Sequence, residues 1–112
     1  MENLTFTQYQ EGAKETAIYP KVGSNPYYPT LGLTGEAGEI ANKVKKIMRD
    51  SDGVISDEHR DDIKKELGDV LWYVAMVASE FGLDMGEVAS KNYSKLKKRQ
   101  ENNTLQGSGD HR

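Results

Sequence analysis

The chain contains 112 residues with a formal net charge of −3 and no cysteine, a length that fits one domain and would gain buried surface from oligomerisation. Without cysteine the chain cannot form a disulfide scaffold, a thiolate zinc site or a cysteine nucleophile. The chain is mildly acidic, so we expect no nucleic-acid binding. It shows neither a signal-peptide pattern nor an apolar run long enough to span a membrane, which predicts a cytoplasmic protein that does not bind membranes.

Helical periodicity begins near the N-terminus, and no segment shows the alternation of a strand. A capping box, Thr5-Phe6-Thr7-Gln8, predicts the start of the first helix, and Pro20 predicts its end. The segment that follows contains all three prolines and indicates an ordered loop. A second helix is predicted to begin between Pro29 and Thr34 and to end near Arg49.

The second half of the chain predicts two more helices and a tail. One helix spans about residues 58–81. Asp84, followed by Glu87 three residues later, is typical of an N-cap, so a fourth helix is expected to run to about Gln100. Residues 103–112 are rich in glycine and polar side chains, which predicts a flexible C-terminal tail.

Residues 1–102 therefore predict an all-α, four-helix-bundle-like domain. Its core is expected to come from apolar stripes at helical spacing on the second and third helices. The predicted stripe on the second helix consists of Ala37, Ile40, Ala41, Val44, Ile47 and Met48. The predicted stripe on the third consists of Leu67, Val70, Leu71, Val74, Val77, Ala78 and Phe81.

Two pairs of acidic residues stand beside these stripes, Glu36 with Glu39 and Glu66 with Asp69. Residues three apart on a helix point to nearly the same side, so each pair presents two carboxylates along one edge. Packing the two apolar faces together would crowd four negative charges, which repel each other unless cations intervene. Hard divalent ions such as Mg2+ or Mn2+ prefer these oxygen ligands. The pattern predicts a metal site.

The alternative is that these acids are only solvated surface charge. Acidic pairs at this spacing are common on exposed helix faces, and a helix N-terminus favours negative charge. The chain would then be a small helical interaction module without catalysis. Pattern reasoning leaves both interpretations open.

The residues around the acids resemble a known family. Leu31-Gly32-Leu33-Thr34-Gly35-Glu36-Ala37-Gly38-Glu39-Ile40-Ala41-Asn42-Lys43-Val44-Lys45-Lys46 is similar to the first metal helix of MazG-like nucleoside triphosphate pyrophosphohydrolases. Glu66-Leu67-Gly68-Asp69-Val70-Leu71-Trp72-Tyr73 is similar to the second. The resemblance covers roughly residues 5–100 and implies the all-α fold of that superfamily.

The resemblance implies a nucleotide-cleaving enzyme. All four acids (Glu36, Glu39, Glu66 and Asp69) are expected to bind Mg2+, with Mn2+ as a possible substitute, and to serve catalysis. The reaction would hydrolyse a (deoxy)nucleoside triphosphate between the α and β phosphates, releasing a nucleoside monophosphate and pyrophosphate as nucleotide-pool housecleaning. One of Glu36 and Glu39 is expected to orient or deprotonate the attacking water.

The resemblance also implies further contacts and an assembly. Asn92, Lys95 and Arg99 match an Asn/Lys/Arg pattern that contacts phosphates in the family, although a solvated basic helix end would look the same. Lys43 and Lys46 are weaker phosphate candidates. The base pocket is assigned to Tyr73, Tyr28 and Leu31. A homodimer or homotetramer is expected, and the alternative function is a non-catalytic nucleotide-binding or protein-interaction module.

Overall fold

The computed structural model describes residues 3–110, and within this range the secondary structure is helical with no strand. The prediction of an all-α chain with four helices is therefore confirmed. In chain order the helices are α1 (Phe6–Glu15), α2 (Tyr27–Asp50), α3 (Asp57–Glu80) and α4 (Met85–Glu101). None of these helices is long and apolar enough to cross a membrane.

Side-chain caps fix where three of the helices begin. The predicted capping box is present at α1, where Gln8 N–H donates to Thr5 Oγ1 at 3.0 Å and Thr5 N–H donates to Gln8 Oε1 at 2.9 Å. The predicted cap of α4 is also present, because the Asp84 carboxylate accepts from Glu87 N–H at 3.3 Å. Ser56 caps α3 in the same way. Each cap satisfies backbone donors that the first helical turn leaves unpaired.

The second helix begins earlier than predicted, at Tyr27 instead of between Pro29 and Thr34. The prediction was wrong because a proline interrupts a helix only where its missing N–H would have been used. Pro29 is the third residue of α2, and the first four N–H groups of a helix have no intrahelical partner. Asn25 covers this end, since its side-chain oxygen accepts from Tyr28 N–H at 3.2 Å.

Helix α3 is the centre of the fold. It packs against α2 and α1 along its length and contacts α4 only weakly, while α2 and α4 share no contact within the described residues. The buried core lies at the C-terminal half of α3, where Ala75 and Met76 contact Ala13 and Met85. This arrangement leaves the C-terminal half of α2 and the N-terminal half of α3 paired only with each other among the described helices.

One buried polar side chain joins three elements in this core. Gln10 of α1 is buried, and its amide nitrogen donates to Ser79 Oγ at 3.0 Å and to the Leu83 carbonyl at 2.9 Å. Its amide oxygen accepts from Met85 N–H at 2.8 Å. A buried amide without hydrogen-bond partners would cost free energy. These three hydrogen bonds therefore fix the position of α1 relative to the turn between α3 and α4.

The predicted apolar stripes are only partly buried, which corrects the sequence interpretation. On α2, Ile40 and Ile47 are half-buried, but Ala37, Ala41, Val44 and Met48 are exposed. On α3, the middle of the stripe is buried or half-buried, but Leu67 and Phe81 at its two ends are exposed. The physical reason is the orientation of α2, which turns the half-buried side chains Glu36, Ile40, Lys43 and Ile47 toward α3. No other described helix covers the opposite apolar side.

The loop between α1 and α2 is tied to the end of α3 by one carboxylate. Glu80 accepts hydrogen bonds from Tyr19 Oη and Gly23 N–H, both at 2.7 Å, and from Asn25 N–H at 3.0 Å. Tyr19 stacks in turn on Tyr28 at the start of α2, with ring centroids 4.8 Å apart. Glu80 therefore places the loop and, through it, the first turn of α2.

The segment after α4 folds back along that helix in residues 103–110. Thr104 N–H donates to the Arg99 carbonyl at 2.8 Å, and Asp110 Oδ1 lies 3.0 Å from both Lys95 Nζ and Arg99 Nη2. These charge-assisted contacts hold the pKa of Asp110 below its usual value, with Lys95 the largest contributor. Flexibility of residues 103–112 stays a prediction, and residues 111 and 112 lie outside the described part of the chain.

Candidate metal and nucleotide site

Three of the four predicted acids meet where α2 crosses α3. Glu36 of α2 and Glu66 and Asp69 of α3 each offer a carboxylate oxygen, and these three oxygens lie within 4.8 Å of one another. Glu39 is exposed and lies outside this group. We call Glu36, Glu66 and Asp69 the carboxylate cluster. Oxygens at this spacing can converge on one divalent ion.

The cluster is electrostatically unfavourable by itself. Burial is the largest cause that raises the pKa of Glu36, followed by its hydrogen-bonding contact with Glu66 and by the charges of Asp69, Glu66 and Glu39. In addition, Glu66 Oε2 is buried and has no hydrogen-bond partner. A buried carboxylate oxygen without a donor costs free energy that a bound cation would recover. The donor set therefore fits a hard metal ion.

The ammonium group of Lys43 contacts one end of the carboxylate cluster. Lys43 Nζ lies 2.8 Å from both oxygens of Asp62 and 3.3 Å from Glu66 Oε1. Asp62 was not among the predicted site residues, although its position one turn before Glu66 on α3 was a usable signal. Lys43, considered as a weak phosphate ligand, is instead paired to two carboxylates.

Two tyrosines line the other side of the cluster. Tyr73 follows Asp69 by one turn, and its pKa is raised by burial first and then by Tyr28, Glu36 and Asp69. Tyr9 of α1 also has a raised pKa, mainly through burial and then through the charge of Asp69. Tyr9 was missed because nothing in the sequence shows that α1 lies beside this part of α3.

The three predicted base-pocket residues do not lie together. Tyr73 and Tyr28 contact each other beside the cluster. Leu31 is 72% exposed and lines a separate shallow groove with Tyr27 and Phe81. Of these three residues, Tyr73 and Tyr28 therefore lie beside the acids within one chain.

Gly32 allows the close approach of α2 to the Tyr73 ring. A Cβ atom at position 32 would overlap Cδ1, Cε1 and Cζ of that ring, whereas a Cβ at Gly38 would meet nothing within 4 Å. We expect Gly32→Ala to lower the free energy of unfolding by about 1–3 kcal/mol through overpacking. Gly38→Ala is the matched control on the same helix and should raise it by about 0.5–1 kcal/mol. Urea unfolding of both variants tests this, and equal stabilities would contradict the tight packing.

The three predicted phosphate ligands lie on α4, away from the cluster. Asn92 faces a groove between α4 and the start of α1. Lys95 and Arg99 both contact Asp110, and Arg99 is only 5% exposed. Since α4 and α2 share no contact in the described residues, one chain does not bring these cations beside Glu36.

Comparison with known proteins identifies the family. The MazG nucleotide pyrophosphohydrolase domain matches residues 28–104, which include both acidic helices apart from Tyr27 and the whole of α4. The chain is also 52% identical over 109 residues to Gene 37 protein of Mycobacterium phage L5, covering 93% of this chain and 96% of that protein. No solved structure matches it. The chain therefore belongs to the MazG nucleotide pyrophosphohydrolase domain family.

Proposed function

We propose that this protein hydrolyses (deoxy)nucleoside triphosphates between the α and β phosphates in a reaction that depends on Mg2+. The observation that carries the proposal is the convergence of Glu36, Glu66 and Asp69 within 4.8 Å in a chain of this family. A bound divalent ion supplies charge neutralisation on the phosphates and a water of lowered pKa. Mn2+ is the expected substitute, and clearance of unwanted nucleotides from the pool is the proposed role.

Metal binding, water activation and nucleobase binding are assigned to different residues of the chain. Glu36, Glu66 and Asp69 hold the ion, because a triphosphate and bare carboxylates would otherwise repel each other. Glu39 is exposed and close enough to raise the pKa of Glu36, so it is free to orient or deprotonate the attacking water. Tyr73 and Tyr28 present aromatic surface for the nucleobase. Their position beside the acids supports that assignment.

The phosphate tail is assigned to Asn92, Lys95 and Arg99 of a second copy. Within one chain α4 does not contact α2, which carries Glu36, so we assign the α4 cations to the carboxylate cluster of another subunit. An exposed apolar surface supports association: Val44, Met48, Ile55 and Leu67 line a groove of about 550 Å³ between α2 and α3. Exposed apolar surface of this kind is typical of subunit interfaces.

The activity is tested by incubating the protein with each ribo- and deoxyribonucleoside triphosphate and Mg2+, measuring pyrophosphate separately from orthophosphate. We expect pyrophosphate and the monophosphate in equal amounts, and no turnover after chelation. Orthophosphate alone would contradict cleavage between the α and β phosphates. No product with any nucleotide would favour the alternative, a non-catalytic nucleotide-binding or protein-interaction module.

The assembly is tested by sedimentation. We expect a dimer or tetramer at micromolar concentration, because the apolar groove is otherwise left in water. Val44→Glu should shift the equilibrium toward monomer, since it places a charge in that surface. Lys45→Glu, also exposed on α2, is the matched control. A monomer at all concentrations would overturn the assignment of α4 to a second subunit.

A further inference from the structure

The carboxylate cluster has an asymmetric environment. Along α3 the acids Asp62, Glu66 and Asp69 follow one another at helical spacing. Opposite them, α2 offers Glu36 at one end and Lys43, two turns later, at the other. The ammonium of Lys43 contacts both Asp62 oxygens at 2.8 Å and Glu66 Oε1 at 3.3 Å.

This ammonium is held firmly. The side chains of Lys43, Glu66 and Asp62 are 29%, 16% and 50% exposed, so the contact with Glu66 is partly shielded from water. Charge-assisted hydrogen bonds are stronger than neutral ones, and shielding strengthens them further. Lys43 is therefore a fixed positive charge at this end of the site.

The position of that charge matters for the number of ions. Two-metal phosphoryl-transfer sites place their ions about 3.5–4 Å apart, bridged by shared carboxylates. On the Lys43 side of the cluster, a second ion beside the first would use Glu66 as the bridge and Asp62 as an outer ligand. Those are the two side chains that Lys43 contacts. A divalent ion in that place would also be repelled by the ammonium.

We propose that Lys43 is a resident cation that fills the Asp62–Glu66 end of the site and so keeps a divalent ion out of that end. The inference rests on the proposed function only in taking the cluster to bind metal. Lys43 acts as a positioning residue: it neutralises one oxygen of Glu66 and leaves the other, Oε2, without a protein partner.

The test counts bound Mn2+ by electron paramagnetic resonance and isothermal titration calorimetry in the absence of nucleotide. We expect Lys43→Gln to bind one more Mn2+ per chain than the wild-type protein. Lys43→Arg, which keeps the charge, should bind the wild-type number. Lys46→Gln is the matched control, because Lys46 is an exposed lysine one turn further along α2. The double variant Lys43→Gln/Asp62→Asn should lose the extra ion again.

Equal Mn2+ numbers in Lys43→Gln and Lys46→Gln would overturn the proposal. A measurement on wild-type protein does not depend on the folding of any variant: anomalous diffraction from Mn2+-soaked crystals should show Mn2+ at Glu36, Glu66 and Asp69 and none between Asp62 and Glu66. A Mn2+ peak between Asp62 and Glu66 would refute the role of Lys43. Wild-type protein that binds Mn2+ but releases no pyrophosphate would contradict the proposed activity alone, whereas no Mn2+ binding would overturn both.

Discussion

Asp69→Asn is expected to lower kcat/KM for pyrophosphate release by about a thousandfold. Its carboxylate is one of the three that converge within 4.8 Å, and an amide oxygen binds a hard cation more weakly than a carboxylate does. Weaker stabilisation of the developing charge by the metal ion should raise the activation free energy by several kcal/mol. Each increase of about 1.36 kcal/mol lowers the rate tenfold. The measurement is steady-state kinetics with saturating Mg2+ and the best triphosphate found in the panel.

The control for this variant is Asp61→Asn, the same chemical change on the same helix. Asp61 is exposed and lies 3.5 Å from Lys65, away from the carboxylate cluster, so its loss should leave kcat/KM within about twofold. The metal-free Asp69→Asn protein should unfold no more easily than wild type, because the change removes charge repulsion on Glu36. A fully active Asp69→Asn protein would contradict the metal assignment.

Glu80→Gln is expected to lower the free energy of unfolding by about 2–3 kcal/mol. The carboxylate accepts from Tyr19 Oη, Gly23 N–H and Asn25 N–H. An amide keeps one acceptor oxygen but turns an NH2 group toward backbone donors, which leaves at least one of them unsatisfied. Glu87→Gln is the control, since Glu87 forms only an exposed ion pair with Lys91 at 3.0 Å and should cost less than about 0.5 kcal/mol.

The stabilisation by Glu80 should depend on pH. Burial alone would raise the pKa of Glu80, but the hydrogen bonds from Tyr19, Asn25 and Gly23 outweigh it and lower the pKa below 4.5. The folded state therefore binds the Glu80 proton less readily than the unfolded state. The contribution of Glu80 to the free energy of unfolding is complete above its pKa in the unfolded state. It is lost as the pH falls through the pKa of Glu80 in the folded state. Urea unfolding from pH 7 to pH 3 should show the wild-type and Glu80→Gln stabilities converging; a constant difference would contradict this.

Local chemistry explains why the helices were predictable. Caps at Thr5 and Asp84 depend on residues within one turn, and the 3.6-residue period is visible in the sequence. The start of α2 differs from the prediction because Pro29 lies in the first helical turn, where backbone N–H groups have no intrahelical acceptor and a proline loses no hydrogen bond. The acidic pairs were predictable for the same local reason, since residues three apart share a helix edge.

Which members of those pairs meet was decided by the tertiary structure. Glu36 and Glu39 lie on one edge of α2, but the rotation of α2 about its axis brings only Glu36 within reach of Glu66 and Asp69. Spacing along a helix gives relative directions and leaves that rotation open. The same rotation left Val44 and Met48 of the predicted core in contact with water.

The amino-acid sequence by itself determined the helical class, the helix caps, the acidic pairs and the family. The tertiary structure decided the rest of the site: that Tyr9 lies beside Asp69, that Lys43 pairs with Asp62 and Glu66, and that α4 stays apart from α2. These contacts join residues far apart in the chain, so their formation depends on how whole helices pack. Helical periodicity extends over a few turns only and carries no information about that packing.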